Sequence, residues 1–246
     1  MNDVAQPTSS DPLEARFAHV DTWVFDLDNT LYPAGSPIWP RIDERITRYL
    51  ADLFGLDGLS ARALQKFYYQ HHGTTLRGLM ADHAVSAKAF LDFVHDIDRS
   101  SLAADPALVE AVASLPGRKL ILTNGSRDHA LRTAAQLGFA ATSFEDVFDI
   151  IAADFVPKPD AATYDRFFAA HGVDPARAAM FEDIARNLDV PHARGMVTVL
   201  VAPKLEDDRH REAWERLGAA APSIDFVTDD IAGFLAKVAL ARRSDV

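Results

Sequence analysis

The chain has no cysteine among its 246 residues. Disulfide staples, thiolate nucleophiles and cysteine-held metals are therefore excluded, and the expected setting is a reducing one, the cytoplasm. It also lacks any run approaching the ~18 apolar residues that span a bilayer, so no membrane partner is expected. Basic excess is missing too: 25 Lys and Arg stand against 36 Asp and Glu, for a formal net charge of −11. A surface of that sign repels a phosphate backbone and argues against a nucleic-acid polymer as partner. A small phosphorylated ligand stays possible, because a cation and a few local donors can invert the field inside one pocket.

What is present is ordinary for a globular chain, with 48% hydrophobic and 25% charged residues. That supports one large domain or one domain with an insert, as a monomer or homodimer. The first residues are polar and rich in acids, prolines and serines. They read as a flexible leader over 1–19, without the apolar core of a signal peptide.

Short apolar, β-prone runs then recur, each followed by a turn and a helical pattern. They are Thr22–Phe25, Lys119–Leu122, Asp149–Ala152, Ala179–Phe181, Met196–Val201 and Asp225–Val227. Runs apolar throughout predict strands buried on both faces of a parallel sheet. The alternation predicts an α/β fold, a Rossmann-like three-layer core. Between Ile38 and Leu115 the rhythm breaks into amphipathic helical patterns only, at 42–53, 61–70, 76–83, 88–94 and 107–115. The expected division is a catalytic core over 20–35 and 112–246, with a helical cap domain over 36–111.

Ligands of open α/β sheets bind beyond the carboxyl ends of the strands. Four such ends carry polar residues: Asp26 and Asp28, Thr123, Lys158, and Glu182 with Asp183. Asp26 and Asp28 are two apart, so in extended backbone both project to one side. Two nearby carboxylates can divide roles, one ionised and one handling a proton. Asp183 adds a third, making an oxygen-rich site suited to Mg2+. Lys158 would neutralise part of the cluster and meet a phosphate oxygen. Thr123 and the backbone N–H groups of Asn124 and Gly125, opening a helix, would form an anion site. Each residue alone has an ordinary explanation as a cap, turn or surface charge; four in order at strand ends do not share one.

These motifs resemble those of the haloacid dehalogenase-like superfamily: Asp26-Leu27-Asp28-Asn29-Thr30, the strand ending in Thr123, Lys158-Pro159, and Glu182-Asp183. The helical block falls where that family carries its cap. The resemblance implies a Mg2+-dependent phosphatase. Asp26 would attack phosphorus and Asp28 would move the protons. Thr123 and Lys158 would hold the phosphoryl group. The metal would sit on the Asp26 carboxylate, the Asp28 carbonyl and Asp183, with Glu182 or Asn187 orienting its waters. Members that break carbon–halogen bonds lack an acid at the Asp28 position, since halide needs no proton.

Three stretches further resemble the pyrimidine 5′-nucleotidase-like branch: 28–33, 73–79, and 181–183 with 186–188. That implies a nucleoside 5′-monophosphate as the small phosphorylated metabolite, with His72 and Arg77 binding it. Phosphoglycolate or a sugar phosphate is the alternative, followed by a mutase and a non-catalytic scaffold.

Overall fold

The computed structural model describes residues 13–204 and 221–243. Residues 1–12 of the expected leader lie outside them, as do 244–246 of the expected C-terminal helix. The elements run α1 Leu13–Phe17, β1 Thr22–Phe25, α2 Ile38–Phe54, α3 Gly58–His72, α4 Thr75–His83, α5 Ala87–Val94 and α6 Pro106–Ser114. They continue with β2 Arg118–Leu122, α7 Arg127–Leu137, β3 Asp146–Phe148, α8 Ala161–His171 and β4 Ala178–Glu182. The last are α9 Asp189–Ala193, β5 Val197–Val201, β6 Phe226–Thr228 and α10 Ile231–Arg243.

The six described strands form one parallel sheet in the order β3-β2-β1-β4-β5-β6. Alternate side chains supply two cores, as strand geometry requires. Trp23, Phe25, Ile121, Phe181 and Val199 face one layer with α6, α7 and α10. Val24, Leu120, Leu122, Met180 and Leu200 face the other with Tyr164 and Phe167 of α8. Burial of β1, β4 and β5 on both faces explains their unbroken apolar reading. Because β2 and β4 flank β1 while the chain winds outward on both sides, β1 lies at the topological switch point. Its carboxyl end opens the crevice where such sheets bind ligands.

The helices between β1 and β2 have a core of their own. Leu50, Tyr68, Leu76, Leu79, Phe90, Leu91 and Val94 pack together, joined from the sheet side by Ile150. Helices α3 and α4 approach closely at Gly78, where an added Cβ would lie 2.2 Å from Tyr68 Cδ1. Capping fits the sequence: Asp57, Thr74, Ser86 and Asp105 accept backbone N–H bonds at the starts of α3 to α6.

Three expectations change. The run Asp149–Ala152 is not a strand; β3 precedes it. The Asp149 carboxylate accepts from Ala152 N and from Arg127 N, both at 2.9 Å, and so folds the chain into a turn. Within the expected leader, Phe17 is fully buried, stacked 5.9 Å from Trp23. The expected cap limit at 111 cuts through α6, whose Leu108, Ala111 and Val112 belong to the sheet core with α10.

Candidate active site

Asp26 follows the last residue of β1, its N–H held by the Phe181 carbonyl at 2.9 Å. The carboxylate is buried and meets Lys158 Nζ at 2.7 Å, with the Thr30 hydroxyl at 3.3 Å on its other oxygen. Lys158 also donates to the Leu122 carbonyl at 2.9 Å and lies 3.4 Å from Glu182 Oε2. A buried lysine held by two carboxylates is an anchored cation, not a surface one. Burial alone would lower its pKa, but Asp26 and Glu182 more than offset this and push it up to about 12.

Asp26, Glu182 and Asp183 are all buried, and each offers an oxygen within 4.8 Å of the others. Burial raises Asp26 and sends Glu182 well above the ordinary carboxylate range, with Asp26 adding repulsion. Glu182 is in turn gripped by Asn187, whose amide nitrogen donates to Oε1 while Tyr164 donates to its carbonyl at 2.6 Å.

Asp28 is turned differently. Its Oδ1 accepts from the Tyr32 hydroxyl and contacts His129 Nε2 at 2.9 Å. Burial pushes its pKa up, but the hydrogen bonds from His129 and Tyr32 leave it below the ordinary value. Asn29, next along, takes a positive φ of 60°, turning the chain back so that Leu31 N reaches the Leu27 carbonyl at 3.0 Å.

The expected anion loop is rearranged. Helix α7 opens at Arg127 with Ser126 as its N-cap, so Asn124 and Gly125 precede the helix and its cap. Gly125 N donates to Thr123 Oγ1 at 2.9 Å, which leaves the Thr123 proton to donate elsewhere. The Asn124 side chain clamps the backbone of Lys158, accepting from its N–H at 2.8 Å and donating to its carbonyl at 3.3 Å. Asn124 thus holds the lysine loop.

Above these residues lies a cavity of about 160 Å³. Its floor includes Asp26, Asp28, Thr123, Lys158, Glu182 and Asp183. The helical block supplies an apolar wall with Trp39, Ile42, Leu76 and Phe90, and a polar corner with Asp43, Gln65, Lys66 and Tyr69. Asp43 collects Gln65 Nε2 at 2.7 Å and Lys66 Nζ at 3.1 Å. Neither His72 nor Arg77, the substrate contacts expected from sequence, lines this cavity. His72 packs beside Tyr68, ring centroids 5.8 Å apart. Lys66 and Gln65, about two turns earlier on α3, take the place expected of them. Nothing in the sequence singled out Tyr32, His95, Arg99 or His129 either. The helical spacing over 128–137 marks a helix, but not that His129 meets a residue 101 positions earlier.

A model of the haloacid dehalogenase-like hydrolases matches residues 20–195. Phosphate metabolism protein 8 of Saccharomyces cerevisiae is 26% identical over 201 residues, 74% of this chain and 60% of that protein. The chain thus spans less than two thirds of the length of that relative. Among solved structures, L-2-haloacid dehalogenase from Xanthobacter autotrophicus with chloropropionic acid covalently bound aligns at TM-score 0.55 and 18% identity. The alignment covers 92% of this chain and all of that one. CbbY from Rhodobacter sphaeroides in complex with phosphate aligns at 0.59 and 16%, covering 89% and 96%. Both likenesses are of fold.

Proposed function

Since the chain belongs to the haloacid dehalogenase-like hydrolases, we propose that it hydrolyses phosphate monoesters through a phosphoryl group carried on Asp26. The observation that carries this choice over dehalogenation is Asp28. A halide departs without a proton, so a second carboxyl group held at the floor beside the nucleophile would have no task there. An alkoxide needs one. The name of the yeast relative and the phosphate bound to CbbY point the same way.

Three buried carboxylates gather beside one buried lysine, which bonds Asp26 and lies 3.4 Å from Glu182. Asn29 Oδ1 and Asn187 Oδ1 are also buried without partners. Hard oxygen donors in that balance suit Mg2+, held by Asp26, Asp183 and the Asp28 carbonyl, with Glu182 and Asn187 around its waters. When bound, the ion would neutralise phosphoryl charge and displace protons from the raised carboxyl groups.

The protein's own groups then divide the work. Lys158 keeps the Asp26 oxygen ionised and aimed, and meets a phosphoryl oxygen. The Thr123 proton donates to another. Asp28 passes a proton to the leaving oxygen and later takes one from the water that cleaves the aspartyl-phosphate. The apolar wall keeps other water out.

For the substrate, a nucleoside 5′-monophosphate is the proposal, with phosphoglycolate and sugar phosphates as alternatives. Trp39 and Tyr69 offer aromatic surface to a base, and Lys66 with Gln65 offers hydrogen bonds. A phosphate-release screen across nucleotides, sugar phosphates, phosphoglycolate and 2-chloropropionate tests this. Turnover of a phosphate ester, reversibly lost on chelation, is expected. Halide release without phosphate release would overturn it.

A further inference from the structure

The most developed buried network in the protein is one the reaction scheme leaves unused. His129 is fully buried on α7, with Nε2 on Asp28 Oδ1 at 2.9 Å. Its other nitrogen, Nδ1, faces Arg99 Nη2 at 2.8 Å. A guanidinium has donors and no acceptor. Nδ1 must therefore accept, and the ring proton sits on Nε2, pointing at Asp28. The Thr133 hydroxyl, 3.4 Å from Nδ1, is consistent, since its oxygen is taken by Arg99 Nε at 3.2 Å. A second proton on Nδ1 would set a donor against a donor.

Arg99 is buried and fixed in turn. It donates to the carbonyls of Ile97 and His95, both at 3.1 Å. The His95 ring lies on His129 with centroids 4.5 Å apart and planes 11° apart, while its Nδ1 meets Ser126 Oγ at 2.8 Å. Every freedom of the His129 ring is removed.

The consequence falls on Asp28. His129 and Tyr32 both use Oδ1. The other oxygen, Oδ2, lies toward Gly125, 3.7 Å from where a Cβ would sit there, on the cavity floor. An oxygen already accepting two hydrogen bonds is the poorer place for a proton. We propose that Arg99 and His129 are positioning residues that commit Asp28 Oδ1 as an acceptor and leave Oδ2 as the oxygen that exchanges protons with the substrate. Arg99 acts by selecting the His129 tautomer, and Tyr32 completes the pair of donors. The inference rests on the reading of Asp28 as the proton-transfer group.

The test follows release of the alcohol, the step before water cleaves the aspartyl-phosphate, from the magnesium-loaded enzyme under single-turnover conditions with two phosphate monoesters. One releases an alkyl alcohol, which needs a proton; the other releases p-nitrophenolate, which leaves without one. His129→Ala and Arg99→Met should slow the first by about 10- to 100-fold and the second far less. His129→Gln, with an amide donor near the place of Nε2, should restore most of the loss. Equal losses on both esters, or none, would overturn the relay. Asp28→Asn separates the two layers of the argument. If it does not discriminate between the esters, the proton-transfer reading fails and the relay with it. If Asp28→Asn discriminates and the His129 variants do not, only the relay fails. Nitrogen-15 NMR of the unaltered protein adds a measurement that depends on no variant. The His129 ring should carry its proton on Nε2 with Nδ1 as an acceptor, and a proton on Nδ1 would contradict the proposal.

Discussion

The floor and the wall of the cavity are built on opposite terms. The floor comes from residues at or beyond the carboxyl ends of β1 to β4, tied together by buried ion pairs that set Lys158 between Asp26 and Glu182. The wall comes from α2 to α5, whose own core meets the sheet through Ile150. Its polar corner is partly open to solvent, with Lys66 keeping 22% of its side-chain surface. Chemistry that demands sub-ångström placement sits on the rigid sheet ends, and recognition sits on helices free to differ. Changes to the floor should therefore act on every substrate, and changes to the wall should act on some.

The largest effect separates the two outright. Asp26→Asn should lower kcat by roughly 10⁴-fold or more on every ester, measured as phosphate release. Residual turnover that varied between esters would break the division. In the wall, Lys66→Met should raise KM by about tenfold for the best substrate, with kcat on a small aryl phosphate unchanged. A matching drop in kcat on all esters would place Lys66 in the floor.

Gly78→Ala sharpens the comparison on the side of stability. Its Cβ would intrude on Tyr68 at 2.2 Å and on His72 at 3.0 Å. Melting should show a loss of about 1–3 kcal/mol, with hydrogen exchange raised in α3 and α4 and not in the sheet.

An effect seen only as pH falls concerns His95, where wall and floor touch. Burial lowers its pKa from 6.5 to about 3. The unfolded chain takes up a proton there near pH 6.5 and the folded one does not. Stability from this residue is thus present above pH 6.5 and falls as pH drops toward 3, by up to about 1.4 kcal/mol per unit. His95→Asn should flatten the stability slope between pH 6.5 and 5, read from denaturant titrations; an unchanged slope would show that His95 does not control it.

The same division explains what the sequence disclosed. The floor was legible because it is local. Asp26, Thr123 and Asp183 each follow an apolar strand directly, Glu182 ends one and Lys158 lies in the longer loop after β3; strands buried on both faces announce themselves as unbroken runs at Thr22–Phe25 and Ala178–Glu182. Helices α2 to α5 were legible from their period. The short β3 was not: it carries two apolar residues, while Ile150 and Ile151 beyond the Asp149 turn look more strand-like. The wall's contacts were hidden because helical period says which face is apolar and nothing of what that face meets. Hence His72 and Arg77 were expected where Gln65 and Lys66 stand. The Arg99–His129–Asp28 chain was hidden for the same reason, its members being brought together from three separate elements.

The claim on which all of this depends is that Asp26 carries the phosphoryl group. Acid quench during turnover of a phosphate ester, borohydride reduction and mass spectrometry of the peptide containing residue 26 test it directly. Reduction of an aspartyl-phosphate should leave homoserine at position 26, in proportion to the ester added and absent from Asp26→Asn. Steady phosphate release with residue 26 unmodified at every quench time, or the mark on another carboxylate, would contradict the account.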